Sequence, residues 1–192
     1  MENELFVVGI DEAGRGPLAG PVCVGAAGVK LKNKDEKIKI LEGIKDSKKL
    51  SAKKREEWFK ILNEQPEFET HHVFVSNEMI DKFGIRKAVL FGVEKVLEKF
   101  SREPDMVLLD GLLFAPEKYK QETIEKGDEK VPLISAASII AKVSRDSVML
   151  AMHKKYPQYN FAKHKGYGTK EHFELIVAHG LSPIHRKTFC HI

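Results

Sequence analysis

Four acidic residues lie where the sequence predicts strand ends or the start of a helix: Asp11, Glu12, Asp110 and Asp128. Sites in α/β proteins are assembled where strands end, so these side chains could meet. Clustered carboxylates repel one another unless cations neutralise them, and hard oxygen ligands suit Mg²⁺ or Mn²⁺. Two such cations could activate a water and stabilise the leaving oxygen of a phosphodiester. The pattern indicates metal-dependent phosphoryl transfer; the alternative is that each acid is a solvated turn residue.

A glycine turn, Gly14-Arg15-Gly16, follows the first acidic pair. Glycine permits close backbone approach, so amide N–H groups and the Arg15 guanidinium could contact a phosphate or a sugar. The alternative is a simple connection between two strands. The glycines at positions 14, 16 and 20 do not form the dinucleotide-binding fingerprint, because a second strand follows where that fingerprint requires a helix.

A basic loop near the C-terminus, residues 163–168, carries Tyr167 between glycines. Its ring could stack on a sugar or a base, although a solvated basic loop is the alternative. The eight histidines show no zinc-binding spacing. Ser135, Ser138 and Cys190 lack an accompanying base or a nucleophile-elbow motif, and the two serines are interpreted as helix-start residues.

Hydrophobic periodicity predicts the elements that must position these residues. Strands are predicted at residues 5–10, 22–29, 69–75 and 106–109, with a strand edge around Ile124. Helices are predicted at residues 52–63, 85–100, 135–155 and 170–179, with Ser51 and Thr169 as N-caps and Gly180 at a C-terminus. The glycines and alanines of the second strand should allow close packing. Alternating elements of this kind predict an α/β fold in which helices flank one mixed β-sheet.

Composition limits the class of protein. The 192 residues include 32 Lys and Arg against 28 Asp and Glu, a net charge of +4, and 42% are hydrophobic. These values predict a single globular domain over residues 1–192, including a C-terminal helical segment. Two cysteines cannot build a disulfide framework, which favours a reducing compartment and a cytoplasmic protein. With no apolar run of membrane-spanning length and no signal-peptide pattern, we expect no membrane association.

The stretch GIDEAGRGPLAGPV, residues 9–22, resembles the opening signature of the ribonuclease HII family. Further matches follow in order over nearly the whole chain: DSKKLS (46–51), LLDG (108–111), KGD (126–128), ISAASIIAKVSRD (134–146), YPQY (156–159), HKGYGTKEH (164–172) and PIHRKTF (183–189). One departure is the apolar Leu112-Leu113-Phe114, where the family commonly has a polar residue or two.

The resemblance implies a ribonuclease H-like fold and endonucleolytic cleavage, in replication and ribonucleotide excision repair, of RNA in RNA–DNA hybrids and 5′ of ribonucleotides embedded in duplex DNA. It implies 3′-hydroxyl and 5′-phosphate products and two-metal catalysis with Mg²⁺ or Mn²⁺. The metal-binding carboxylates would be Asp11, Glu12, Asp110 and Asp128. Gly14, Arg15, Gly16 and Tyr167 would recognise the 2′-hydroxyl at the junction of RNA and DNA. Lys48, Ser138, Lys142 and Arg145 are candidates for phosphate contacts, and Asp146 for a structural partner of a neighbouring base.

Two other interpretations stay open at this stage. The sister type, ribonuclease HIII, prefers long hybrids and usually has threonine in place of the turn arginine, so Arg15 argues against it. A catalytically inert hybrid-binding module would gain nothing from carboxylates placed beside phosphates. We expect the protein to be a monomer, and because no aromatic clamp-binding tail follows Phe189 we expect no sliding-clamp partner.

Overall fold

The computed structural model describes residues 4–32, 38–44 and 50–191. Within these ranges five strands form one sheet in the order β3-β2-β1-β4-β5. The strands are β1 (Leu5–Ala13), β2 (Val22–Leu31), β3 (Phe68–Val75), β4 (Met106–Asp110) and β5 (Gln121–Ile124). The first three are joined antiparallel, whereas β4 runs parallel to β1 and β5 parallel to β4. The sheet is therefore mixed, as the sequence predicts.

Helices lie between β2 and β3, between β3 and β4, and after β5. They are α1 (Ala52–Glu64), α2 (Asn77–Phe83), α3 (Ile85–Leu97), α4 (Gly127–Lys130), α5 (Pro132–Lys155), α6 (Phe161–His164) and α7 (Lys170–His179). Short 3₁₀ turns occur at Lys39–Leu41, Pro157–Tyr159 and Lys187–Phe189. Among the described residues, no helix is both long and apolar enough to cross a bilayer.

Side-chain alternation along β1 supplies both faces of the core. Val8 and Ile10 belong to one buried cluster with Val93 of α3, and Val7 belongs to the cluster on the other face with Ile139 of α5. Helices α3 and α5 therefore cover opposite faces of the sheet. This layered arrangement is the α/β architecture that the alternating pattern predicts.

Helix α5 lies unusually close to the sheet because β2 carries a glycine beneath it. A Cβ on Gly25 would lie 2.5 Å from both the Ala137 carbonyl oxygen and the Ala141 amide nitrogen. Gly25 is the register partner of Asp11 on β1. The predicted close packing is therefore confirmed, and it brings the middle of α5 next to Asp11.

The differences from the predicted elements concern ends and short segments. Helix α5 begins at Pro132, three residues early, because proline is well suited to the first turn of a helix. Helix α3 ends at Leu97 rather than at residue 100. Ser51 and Thr169 cap α1 and α7, and Gly180 follows α7 with a positive φ, as predicted. The short helices α2, α4 and α6 were not predicted.

Candidate active site

The register of two neighbouring parallel strands places Asp11 beside Asp110. Ile10 of β1 pairs with Leu109 of β4, so the next residue of each strand is an aspartate. Both carboxylates therefore lie at the same level of the sheet, where β4 ends. The sequence prediction that acids at strand ends meet is confirmed for this pair.

Asp11 is buried, with only 3% of its surface exposed. Its carboxylate accepts a hydrogen bond from the Glu12 amide at 2.7 Å and another from the Ser138 hydroxyl on α5. Burial raises the pKa of Asp11 well above its usual range, and the negative charges of Glu12 and Asp110 raise it further. The folded protein thus holds a carboxyl group whose charge lacks adequate compensation from the surrounding protein.

Glu12 shares this site although β1 continues through it to Ala13. The Asp11 and Glu12 side chains are nevertheless hydrogen-bonded to each other. The Arg15 guanidinium donates to the Glu12 carboxylate at 3.2 Å. Burial raises the pKa of Glu12 in spite of Arg15, and the Asp110 charge adds to that effect.

Asp110 connects the end of β4 to the segment that carries Asp128. One Asp110 carboxylate oxygen accepts the amide N–H of Gly127 at 2.6 Å and that of Asp128 at 3.3 Å. The Ser135 hydroxyl donates to the Asp128 carbonyl oxygen, which fastens the same segment to α5. Asp128 lies just ahead of the long helix α5, as predicted, but inside the unpredicted short helix α4, and it is 1% exposed.

The chemistry of these side chains fits a divalent cation. Carboxylate oxygens are the ligands that Mg²⁺ and Mn²⁺ prefer, and a cation would offset the burial and the repulsion that raise the pKa of Asp11 and Glu12. Over residues 4–32, 38–44 and 50–191, no three acidic, histidine or cysteine side chains are already gathered into a metal-binding group. Arg15 holds Glu12, and the Gly127 amide holds Asp110. A cation bound by Glu12 would therefore compete with its Arg15 contact.

A buried arginine of the C-terminal segment is hydrogen-bonded to the main chain of the glycine turn. Arg186 is 0% exposed, and its guanidinium donates to the carbonyl oxygens of Gly14, Arg15 and Gly20 at 2.7, 2.8 and 2.9 Å. Burial and the neighbouring Arg145 lower the pKa of Arg186 to about 9, so it remains charged at neutral pH. The turn thus lies on a fixed positive charge, which favours an anionic ligand.

Arg145 of α5 joins the glycine turn to the loop that carries Tyr167. Its guanidinium donates to the carbonyl oxygens of Pro21 and Ala19 on one side and of Lys165 on the other, at 3.0, 3.2 and 3.0 Å. A Cβ on Gly14, whose φ is +94°, would lie 2.0 Å from the Arg145 Nε atom. Only glycine therefore permits this contact.

Tyr167 stands at the surface of this assembly, with 41% of its area exposed. Its ring lies 5.7 Å from the Lys142 ammonium and 5.6 Å from the Arg145 guanidinium. Lys142 is also paired with Asp146 at 2.9 Å, so Asp146 is the structural partner of a base, as predicted. The glycine turn and Tyr167 are thus brought to one surface.

The remaining sequence candidates have different outcomes. Ser138 is 5% exposed in the interior of α5, so it is neither a helix-start residue nor open to a phosphate; it orients Asp11. Arg145, 0% exposed, was wrongly expected to contact phosphate, because its donors are used by main-chain carbonyls. Lys48 lies outside the described residues.

Sequence reasoning missed the role of Arg186 and of three buried histidines. Arg186 belongs to the PIHRKTF motif, which supports the family resemblance but indicates no role for this side chain. The spacing of His164, His172 and His185 argues against a zinc site and indicates no other role. The available signal is that all four residues lie in two of the matching motifs, one running from the Tyr167 loop into α7 and the other following α7.

Comparisons with known proteins agree on one family. The family model described as Ribonuclease HII matches residues 8–192. The chain is 47% identical to ribonuclease HII of Clostridioides difficile over 195 residues, covering 98% of this chain and 74% of that protein. The ribonuclease H2 structure from Pyrococcus horikoshii superimposes with a TM-score of 0.78 at 28% identity, covering 96% and 93% of the two chains. The structure of the PCNA:RNase HII complex from Archaeoglobus fulgidus gives 0.79 at 28% identity, covering 97% and 96%.

Proposed function

Because the chain belongs to the ribonuclease HII family and is an enzyme with nuclease activity, we propose that it hydrolyses the RNA strand of RNA–DNA hybrids and cuts duplex DNA 5′ of embedded ribonucleotides. The observation that carries this proposal is the pairing of Asp11 and Asp110 on neighbouring parallel strands. Strand β1 leads from Asp11 directly into the glycine turn. A reacting phosphodiester and the sugar beside it would therefore contact consecutive residues of one segment.

The four carboxylates supply the chemical part of the site in this proposal. Asp11, Glu12, Asp110 and Asp128 would hold two Mg²⁺ or Mn²⁺ ions, which supply an activated water and stabilise the leaving oxygen. Ser138 orients Asp11 by its hydrogen bond, and the amide groups at the start of α4 orient Asp110. Cleavage on the 5′ side of the ribonucleotide leaves 3′-hydroxyl and 5′-phosphate ends.

Recognition of the ribonucleotide is assigned to the surface formed by the glycine turn and Tyr167. The 2′-hydroxyl is the group that distinguishes RNA from DNA at a given position. Gly14, Arg15 and Gly16 would contact that hydroxyl, while the exposed Tyr167 ring packs on the adjacent sugar. Lys48 and Lys142 remain candidates for phosphate contacts. Such contacts do not depend on the base sequence of the duplex.

We propose that residues 1–192 form one catalytic domain that acts as a monomer in the cytoplasm. The archaeal relative was solved in a complex with PCNA. In the present chain Phe189 packs against the core cluster and lies 5.2 Å from the Arg186 guanidinium. Because this aromatic side chain is engaged within the protein, we propose no sliding-clamp partner through it.

The substitution Asp110→Asn tests the role of the carboxylate pair. Asparagine retains a carbonyl oxygen that can accept the Gly127 amide, so the fold should be preserved while the charge is lost. We expect cleavage of a duplex with one ribonucleotide to fall by more than about a hundredfold with either Mg²⁺ or Mn²⁺, because metal-held carboxylates stabilise the transition state directly.

The matched control is Asp105→Asn, just before the other end of β4. Asp105 accepts the Phe6 amide at 2.7 Å, a contact that asparagine can keep, and it is paired with Arg102, so this variant loses a charge without touching the proposed site. It should cleave at close to the wild-type rate. Near-normal turnover by Asp110→Asn would rule out the proposed metal-binding role for Asp110.

A further inference from the structure

A buried chain of two histidines leads from the C-terminal segment to the main chain of Tyr167. His185 and His172 are 1% and 0% exposed, and their Nε2 atoms lie 3.1 Å apart. His185 Nδ1 lies 2.8 Å from the amide nitrogen of Ser182, and His172 Nδ1 lies 2.9 Å from the Tyr167 carbonyl oxygen. The proposed function gives neither ring a role.

The partners at the two ends determine where the protons lie. The Ser182 amide can only donate, so His185 Nδ1 is an acceptor and His185 carries its proton on Nε2. That proton is donated to His172 Nε2, which must therefore be unprotonated. His172 then carries its proton on Nδ1 and donates it to the Tyr167 carbonyl oxygen. Both rings are neutral, and each contact contains one proton.

The surroundings of the pair hold the rings in this arrangement. The ring of His164 stacks on that of His172 with centroids 4.2 Å apart, and its Nδ1 accepts the Gly166 amide N–H at 3.2 Å. Thr169 caps α7 by accepting the His172 amide at 3.2 Å, so His172 occupies the first turn of that helix. Two main-chain groups thus fix the Tyr167 loop to histidines: the Gly166 amide contacts His164, and the Tyr167 carbonyl contacts His172.

We infer that His172, held by His185, is a positioning residue that sets the Tyr167 ring for ribonucleotide recognition. The inference rests on the proposed function, since Tyr167 acts there as the residue that contacts the sugar. The Tyr167 ring is exposed and lies near the charged groups of Lys142 and Arg145. Its carbonyl oxygen, in contrast, is hydrogen-bonded to the buried His172. Loss of that anchor would let the ring move while leaving the carboxylates in place.

Two substitutions at one position separate the hydrogen bond from the packing. In His172→Asn the amide nitrogen can take the place of Nδ1 and donate to the Tyr167 carbonyl. In His172→Gln the longer side chain carries its amide group to the place of Nε2, where the oxygen can accept from His185, and no donor is left at the place of Nδ1 for the Tyr167 carbonyl. Both variants lose the ring and its stacking on His164, and they differ from each other by one methylene group.

The first readout is cleavage of a duplex with one ribonucleotide by the full-length protein. We expect kcat/KM to be about tenfold or more lower for His172→Gln than for His172→Asn, because a misplacement of about 1 Å in a positioned group is costly. In a Tyr167→Ala background the two variants should be equal, because the contact would have nothing left to position. Equal variants with Tyr167 present, or an undiminished difference without it, would overturn the inference.

A second readout does not depend on turnover. With a chelator present, wild-type protein and His172→Asn should bind the ribonucleotide-containing duplex more tightly than the all-DNA duplex, and His172→Gln should lose most of this preference. Wild-type protein that neither cleaves nor prefers the ribonucleotide would overturn the proposed function itself. Wild-type preference that both variants retain equally would overturn the positioning role alone.

A third measurement needs no variant. Long-range ¹H–¹⁵N spectra of the imidazole rings report which nitrogen carries the proton. We expect the Nδ1–H form for His172 and the Nε2–H form for His185. A His172 protonated on Nε2 could not accept from His185, and that result would contradict the arrangement.

Discussion

At the residue scale, the burial of Asp11 lowers the stability of the fold, although we propose that its carboxylate is required for cleavage. Its pKa is raised, so the folded protein binds protons more readily than the unfolded chain and is penalised once the carboxyl group ionises at neutral pH. We therefore expect Asp11→Asn to abolish cleavage while raising the melting temperature in the presence of a chelator. Mn²⁺ should stabilise the wild type more than the variant.

Asp81→Asn provides a control of the opposite sign. Asp81 accepts hydrogen bonds from the Lys187 and Thr188 amides and the Thr188 hydroxyl, and these bonds keep its pKa low in spite of burial. Its neutralisation should lower the melting temperature and leave cleavage largely intact.

An Asp11→Asn protein that melts at a lower temperature than the wild type would contradict the prediction for Asp11. That result would show that the folded protein already compensates the Asp11 charge.

The buried histidines predict a loss of stability in acid. Burial lowers the pKa of His172 and of His185 from 6.5 to about 4, so between these values the unfolded chain binds more protons than the folded protein. This contribution to the free energy of unfolding should therefore fall as the pH falls from about 6.5 to about 4. Asp11 and Glu12 act in the opposite direction, which makes the comparison with a variant necessary.

Urea unfolding at pH 7.5 and at pH 5.5 provides that comparison. The loss in the free energy of unfolding between pH 7.5 and pH 5.5 should be smaller in His185→Asn than in the wild type. Asparagine can keep an acceptor for the Ser182 amide but has no ionisable group. An equal pH dependence in the wild type and the variant would contradict the assignment of a buried neutral His185.

The two carboxylates that carry the site could be predicted, whereas the arginines could not. Asp11 and Asp110 each end a short apolar run, and the direction of neighbouring strands then brings them together. Arg145 and Arg186 are charged residues in polar-looking segments, and nothing local indicates that main-chain carbonyls will surround them. A sequence reports side-chain type, but the burial of a charge depends on which distant segments supply its partners.

At the element scale, the distance between α5 and the sheet sets the contact between Ser138 and Asp11. Gly25→Ala would place a methyl group against the backbone of α5, where neither partner is a flexible side chain. We expect a loss of about 1–3 kcal/mol in the free energy of unfolding. Cleavage should fall as well, because α5 would be pushed away from β1.

Gly16→Ala is the control for stability. A Cβ on Gly16 would meet nothing within 4 Å, so its free energy of unfolding should stay near that of the wild type even if substrate contact changes. Equal stability of the two glycine variants would show that the sheet and α5 can separate without cost.

The long helices and the strands were predictable because their apolar period runs over many residues. Helix α6 was missed because it has only four residues and is flanked by Asn160 and Lys165, both at positive φ without being glycine. Such backbone angles are set by tertiary contacts: the Lys165 carbonyl, for example, accepts from Arg145. The local sequence pattern therefore predicts the strands and long helices around the site but not the conformation of the loop that carries Tyr167.

At the scale of the whole molecule, a net charge of only +4 means that binding depends on where the cations lie. The described cations near the site include Arg15, Lys142 and the two buried arginines. If the duplex is held through its phosphates, the logarithm of the binding constant should fall linearly with that of the salt concentration, by about 0.9 per phosphate contacted. Binding measured with a chelator that is indifferent to salt would contradict this interface.

We propose above all that this chain cuts beside a single ribonucleotide in duplex DNA. The most direct test compares three labelled duplexes, containing one ribonucleotide, a long RNA strand or DNA alone, each with Mg²⁺, Mn²⁺ or a chelator. We expect metal-dependent incision 5′ of the single ribonucleotide with a 3′-hydroxyl end, cleavage of the hybrid and no cleavage of DNA. Cleavage of the long hybrid alone would contradict it in favour of the sister type, and binding without cleavage under either metal would indicate an inert hybrid-binding protein.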